Sequence, residues 1–168
     1  MTIKVFQIGF NRCGTLSLCD FFNNNGHAAV HYNEDDGLWD DWMSRNHKKG
    51  LPVCDGYDDI VLWTDVEFVQ RHFQLLAFQY PQSKFIYNIR PIDDWINSRL
   101  KFYGGGNPDQ WRGEWDYRDK SIKQFFQGEH ADRLLTFNIT IHNGSHIAKF
   151  LPELKFSNLE FPHSHKTA

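Results

Sequence analysis

The chain has no apolar run long enough to cross a bilayer, no excess of basic charge, and only three cysteines in 168 residues. Each of these absences removes a class of function. Without about 20 consecutive apolar residues no transmembrane helix is expected. The N-terminus opens on a polar, strand-like segment instead of a charged stretch followed by an apolar one, so it does not read as a signal peptide, and a cytoplasmic protein is expected. A net charge of −3 and a pI near 6.3 supply no general field for nucleic acid or an anionic membrane. No nucleic-acid partner is expected, and any anion site has to be local. Cys13, Cys19 and Cys54 are odd in number and show no CxxC spacing, which argues against a disulfide framework and a structural zinc and leaves three free thiols. Internal repeats and low-complexity stretches are also missing, and so is the room for a second full domain.

What is present is a chain 40% hydrophobic and 23% charged, able to bury a core as one domain over residues 1–168. Short apolar runs alternate with longer segments of helical period, the pattern of βαβ units. Strands are predicted over 3–8, 28–32, 60–63, 84–89 and 134–139, with helices over 14–25, 66–79, 91–103, 118–127 and 145–151. The tail, 152–168, is expected to be irregular and to pack by its aromatics. The expected fold is α/β, three layers α/β/α around a mainly parallel sheet of about five strands.

The stretch "QIGFNRCGTLSL" has the outline of a phosphate loop, a strand ending at Gly9 followed by a turn and a helix starting near Gly14. Such a turn aims backbone N–H groups and the positive end of a helix at one point. An ATP-binding loop carries lysine and then a hydroxyl residue after its last glycine, for the β- and γ-phosphates and for Mg²⁺. Thr15 and Leu16 stand there instead. Arg12, Thr15 and Ser17 suit a phosphate that arrives without a metal, and no metal site is expected.

With these residues the loop resembles the 5′-phosphosulfate loop of sulfotransferases, which bind 3′-phosphoadenosine 5′-phosphosulfate (PAPS) in a P-loop NTPase-like fold without Mg²⁺. Arg12-Cys13-Gly14-Thr15 follows that family's pattern of basic residue, small residue, glycine and threonine. Leu16 departs from its second threonine, for which Ser17 is a substitute. The family's second motif, a strand-terminal arginine with a serine eight residues on, corresponds to Arg90 and Ser98 in "KFIYNIRPIDDWINS". The stretches "GYDDIVLW" and "FPHSH" extend the resemblance over most of the chain. It implies PAPS as donor, its product adenosine 3′,5′-bisphosphate (PAP), and Asn11, Arg12, Cys13, Gly14, Thr15, Leu16, Ser17, Arg90, Ser98 and Lys166 as nucleotide contacts. It also implies transfer of a sulfuryl group to a hydroxyl or amine of a small-molecule or glycan acceptor.

Such a transfer needs a base and cationic stabilisation. Arg12 supplies the cation. The position where cytosolic sulfotransferases carry a basic histidine corresponds to Asp65, and other branches use a carboxylate there. Asp65 is the first choice, with helix capping as its alternative role and Glu67 as the nearby substitute. His31, at a strand's carboxyl end, suits a base, a substrate contact or a structural role. His163 and His165 invite a metal reading but lack partners at ligand spacing. Trp39 and Trp42 are candidates for lining an acceptor pocket, which in so short a chain is open or completed by a second subunit, making a homo-oligomer possible. Two alternatives stay open at this point: a non-catalytic nucleotide-binding or scaffold protein on the same fold, and a metal-dependent nucleotide kinase supported only by the glycine spacing.

Overall fold

The computed structural model describes residues 3–34 and 37–163. Its centre is a five-stranded sheet in which every pairing is parallel: β1 (Val5–Gln7), β2 (Ala29–His31), β5 (Leu62–Thr64), β6 (Lys84–Ile89) and β7 (Leu134–Asn138). The spatial order is β2-β5-β1-β6-β7. The chain leaves β1 toward one edge and leaves β6 toward the other. A crevice therefore opens at the carboxyl ends of these two neighbouring strands, the place where open α/β sheets bind ligands.

The strands alternate their apolar side chains between two faces, as the two-residue period requires. Val5, Leu62 and Ile86 pack with Leu18, Phe21 and Phe22 of α1 (Thr15–Asn24) and Ile147 of α7 (Gly144–Phe150). Phe6, Trp63, Phe85 and Tyr87 pack on the other side against α2 (Trp39–Lys48), α3 (Glu67–Arg71), α4 (Phe73–Gln79) and α6 (Pro108–Phe125), through Met43, Val69, Leu76 and Ile122. This is the expected three-layer α/β/α arrangement. A third cluster, Phe10, Cys13, Trp95, Ile96 and Trp111, lies between the loop after β1, α6 and α5 (Ile92–Tyr103). The tail packs by its aromatics as expected, with Phe156 stacked on Phe21 and Phe161 5.0 Å from Phe137.

Four local differences from the sequence reading have physical causes. The helix expected over 66–79 is two helices, because His72 at φ −119°, ψ 31° interrupts it. Helix α6 begins at Pro108, well before the expected 118. Gly104 at φ 69° stops α5, but the following Asn107-Pro108 pair starts a new helix, with the Asn107 side chain accepting from the N–H groups of Asp109 and Gln110. Helix α2 was not expected. Its acidic first turn, Asp40 and Asp41, and basic last turn, Arg45, His47 and Lys48, complement the helix dipole. A two-stranded antiparallel pair, β3 (Asn33–Glu34) and β4 (Gly37–Leu38), was not expected either.

Lys4 anchors the segment that leads into β5. Its Nζ donates to the carbonyls of Tyr57 (2.9 Å), Asp58 (3.0 Å) and Ile60 (2.8 Å), using all three ammonium hydrogens. Lys4→Met leaves these acceptors without their donor and is expected to lower the unfolding free energy by about 3 kcal/mol, measured by urea denaturation.

Candidate active site

The loop between β1 and α1 can only follow its path because residue 9 has no side chain. A Cβ on Gly9 would lie 2.2 Å from the carbonyl oxygen of Asn88 and 2.3 Å from its Oδ1. The close approach lets Gln7, fully buried at the end of β1, donate from Nε2 to Gly9 O (2.7 Å) and to Asn88 Oδ1 (2.6 Å). Asn88 in turn donates from Nδ2 to Cys13 O (2.7 Å), and Trp95 Nε1 donates to Asn11 O (3.0 Å). The loop is held from below by side chains of two neighbouring strands and a helix.

Arg12 and Gly14 both take left-handed backbone, at φ 61° and 76°. Gly14 is the N-cap of α1 and no side chain caps the helix there. The start of the helix thus lies beside two left-handed positions, the geometry of an anion-binding concavity. Among the described residues only Arg12, Tyr32, Asp65 and Lys155 have positive φ without being glycine. Three of these four belong to this site, which is where stored backbone strain collects.

The two halves of the signature meet here. Arg90, just beyond β6, donates from Nη1 to the carbonyl of Arg12 (3.1 Å), and Arg12 Nε donates to Ser98 Oγ (3.3 Å). Ser98 is buried in α5, and Asp93 on the same helix is paired with Arg112 at 2.5 Å. Arg90 Nε is buried and has no hydrogen-bond partner among the described residues. The Arg12 guanidinium also lies 4.6 Å from the centre of the Phe102 ring.

Asp65 follows β5 with φ 53°, and its N–H donates to Gln7 Oε1 (2.8 Å). It does not cap α3. The N-cap is Val66, and the N–H of Phe68 is satisfied instead by Asp40 Oδ1 of α2, at 2.5 Å. The carboxylate is left facing His31, whose Nε2 is 3.7 Å from Asp65 Oδ2 and 3.0 Å from Thr15 Oγ1. Burial raises the Asp65 carboxyl above its ordinary value, while His31, a hydrogen bond from Gln70 and the charge of Arg12 partly pull it back. Glu67 is instead ion-paired with Arg71 one turn on.

Asp65 also borders an open pocket of about 640 Å³, whose wall includes Asn11, Tyr32, Gln70, Arg99 and Arg118. Trp39 and Trp42 do not line it. They belong to the core, where Trp39 packs edge-on to Trp63 at 5.0 Å and Trp42 edge-on to Tyr57 at 4.7 Å. The Cys13 thiol is pushed up to about 12 by burial, which makes it packing and not a nucleophile at neutral pH. Thr15 and Ser17 are buried at the start of α1, and Leu16 between them is half-buried. Lys166 and His165 lie outside the described residues.

Residues 4–113 match the family model of the sulfotransferase domain. The chain belongs to the sulfotransferase family. No curated protein matches it. In this sulfotransferase domain the matched segment includes β1, the loop that follows it, Asp65, Arg90 and Ser98. Gln7, Asn88 and Trp95, which fix the loop, escaped the sequence reading. For Gln7 and Asn88 the signal was a polar residue inside an otherwise apolar strand, in "VFQIGF" and "FIYNIR".

Two outcomes follow from this network. Gln7→Leu deprives Gly9 O, Asn88 Oδ1 and the Asp65 N–H of their partners and is expected to cost about 3 kcal/mol in urea denaturation. For Asp65, a raised folded value means that its contribution favours folding at acid pH and is lost as the pH rises through that value. Asp65→Asn is therefore expected to raise the melting temperature at pH 7, with the gain shrinking as the pH is lowered through the carboxylate range.

Proposed function

We propose that this domain transfers a sulfuryl group from PAPS to a hydroxyl or amine of a small-molecule or glycan acceptor. The observation that carries the reading is the junction of the two signature motifs, Arg90 bonded to the Arg12 carbonyl and Arg12 bonded to Ser98, at the carboxyl ends of β1 and β6. The residues present fit the donor. Arg90 Nε is a buried donor without a partner among the described residues, which a phosphate oxygen would satisfy. The uncapped first turn of α1 offers N–H groups to a second phosphate.

On this reading the loop from Asn11 to Ser17 holds the 5′-phosphosulfate, and Arg90 with Ser98 holds the 3′-phosphate. Lys166 is the further contact that the family pattern implies. When bound, PAPS supplies the sulfuryl group, whose bond to the 5′-phosphate oxygen breaks as the bond to the acceptor oxygen or nitrogen forms, releasing PAP. Asp65 takes the acceptor proton. Its raised carboxyl makes it a stronger base than an exposed aspartate once it is ionised. His31 holds Asp65 against Thr15 and fixes its orientation toward the loop. Arg12 supplies positive charge beside the leaving oxygen.

The test is calorimetric titration with PAP, followed by turnover of PAPS with a host extract and mass spectrometry of sulfated products. Binding in the micromolar range is expected; no binding up to about 1 mM, already only about 4 kcal/mol, would overturn the donor assignment. Asp65→Asn should keep PAP binding and lose turnover by about a hundredfold or more. Unchanged turnover removes Asp65 as the base, and PAP binding without turnover of any acceptor favours a non-catalytic nucleotide-binding protein.

A further inference from the structure

Arg99 of α5 is a pocket cation that the proposed transfer leaves without a task. Its guanidinium is stacked among three aromatic rings, 4.5 Å from the centre of Trp111, 4.9 Å from Trp95 and 5.4 Å from Tyr103. Its Nε is buried with no hydrogen-bond partner among the described residues. Among the described residues no carboxylate is paired with it. The neighbouring arginines of the same wall are engaged: Arg71 with Glu67, and Arg118 with Gln70 Oε1 at 3.1 Å and over Phe10 at 4.1 Å.

An aromatic cage of this kind fixes the plane of a guanidinium and takes water from its faces, but it satisfies none of the N–H donors along the edge. Arg99 is half-buried, and a guanidinium held in place by aromatic rings, with no carboxylate partner among the described residues, is complementary to an anion in forked geometry. Both phosphates of the proposed donor already have places, at the loop and at Arg90 with Ser98. Arg99 instead borders the pocket that Asp65 opens into.

We infer that Arg99 recognises an anionic group on the acceptor, so that the substrate carries a carboxylate or similar anion as well as the hydroxyl or amine presented to Asp65. The acceptor class is then hydroxylated or amino organic acids and acidic sugars, not neutral alcohols. This inference rests on the sulfuryl-transfer reading, in which the pocket holds the acceptor.

The experiment uses two matched pairs of probes that differ in a carboxylate, 4-nitrophenyl glucuronide against 4-nitrophenyl glucoside and 4-hydroxybenzoate against 4-hydroxybenzyl alcohol. Each is titrated into the whole chain with and without PAP, following the fluorescence of the tryptophans that cage Arg99 and, independently, ligand-observed NMR. In at least one pair the anionic member is expected to bind about tenfold or more tightly than its neutral partner, as a charge-assisted bond predicts. Arg99→Met should abolish that preference while PAP affinity and the melting temperature stay near wild type, and Arg99→Lys should retain part of it. No preference for the anion in either pair overturns the inference, and so does a preference that survives in Arg99→Met. A tenfold loss of PAP affinity in Arg99→Met overturns it as well, by assigning the arginine to the nucleotide. A preference seen without PAP in a protein that fails to bind PAP upholds the anion site and sinks the donor reading alone, so the two failures are distinguishable.

Discussion

The bond between Gln7 and Asn88 is the constraint on which the site depends. It joins two adjacent parallel strands through their side chains at a point where both would otherwise be apolar, and it does so where burial is complete. A buried amide that is fully bonded is rigid, because every alternative rotamer leaves a polar atom unsatisfied. Gln7 uses its remaining capacity on Gly9 and Asp65, and Asn88 uses its own on Cys13. The start of the loop, its centre and the candidate base are thereby fixed relative to one another by two buried side chains. Gly9 is the condition for this, since any Cβ would separate the loop from β6.

The layers above and below serve the same end. The cluster of Phe10, Cys13, Trp95, Ile96 and Trp111 presses the loop against α5, which brings Ser98 within reach of Arg12. Two sequence motifs more than seventy residues apart meet because β1 and β6 are neighbours and their following helices diverge. The positive φ of Arg12, Tyr32 and Asp65 is the cost of that convergence, offset by the packing beneath.

Much of this was legible in the sequence. The five parallel strands were readable from apolar runs punctuated by glycine and proline, and the position of the loop followed from local spacing, whereas Arg90 and Ser98 were picked out only by the family resemblance. Their contact with the loop was not readable, because it is a property of strand order, which local spacing does not carry. Helix α2 was hidden by its polarity: its buried residues are Trp39, Met43 and Asn46, too thin a stripe to show a helical period clearly. The break at His72 was invisible because the apolar stripe runs through it without interruption. Capping of α3 by Asp65 was a sound local inference, overturned by a carboxylate from another helix that no local rule could supply.

That substitution of Asp40 for Asp65 has a consequence for motion. A helix of five residues capped by its own sequence can fray alone, but the first turn of α3 is closed by a side chain of α2. Opening the first turn of α3 therefore breaks a bond to α2, which ties the local stability of the two helices together. Gln70 sits on α3 beside Asp65, so this tie joins the neighbourhood of the candidate base to a helix that does not line the pocket.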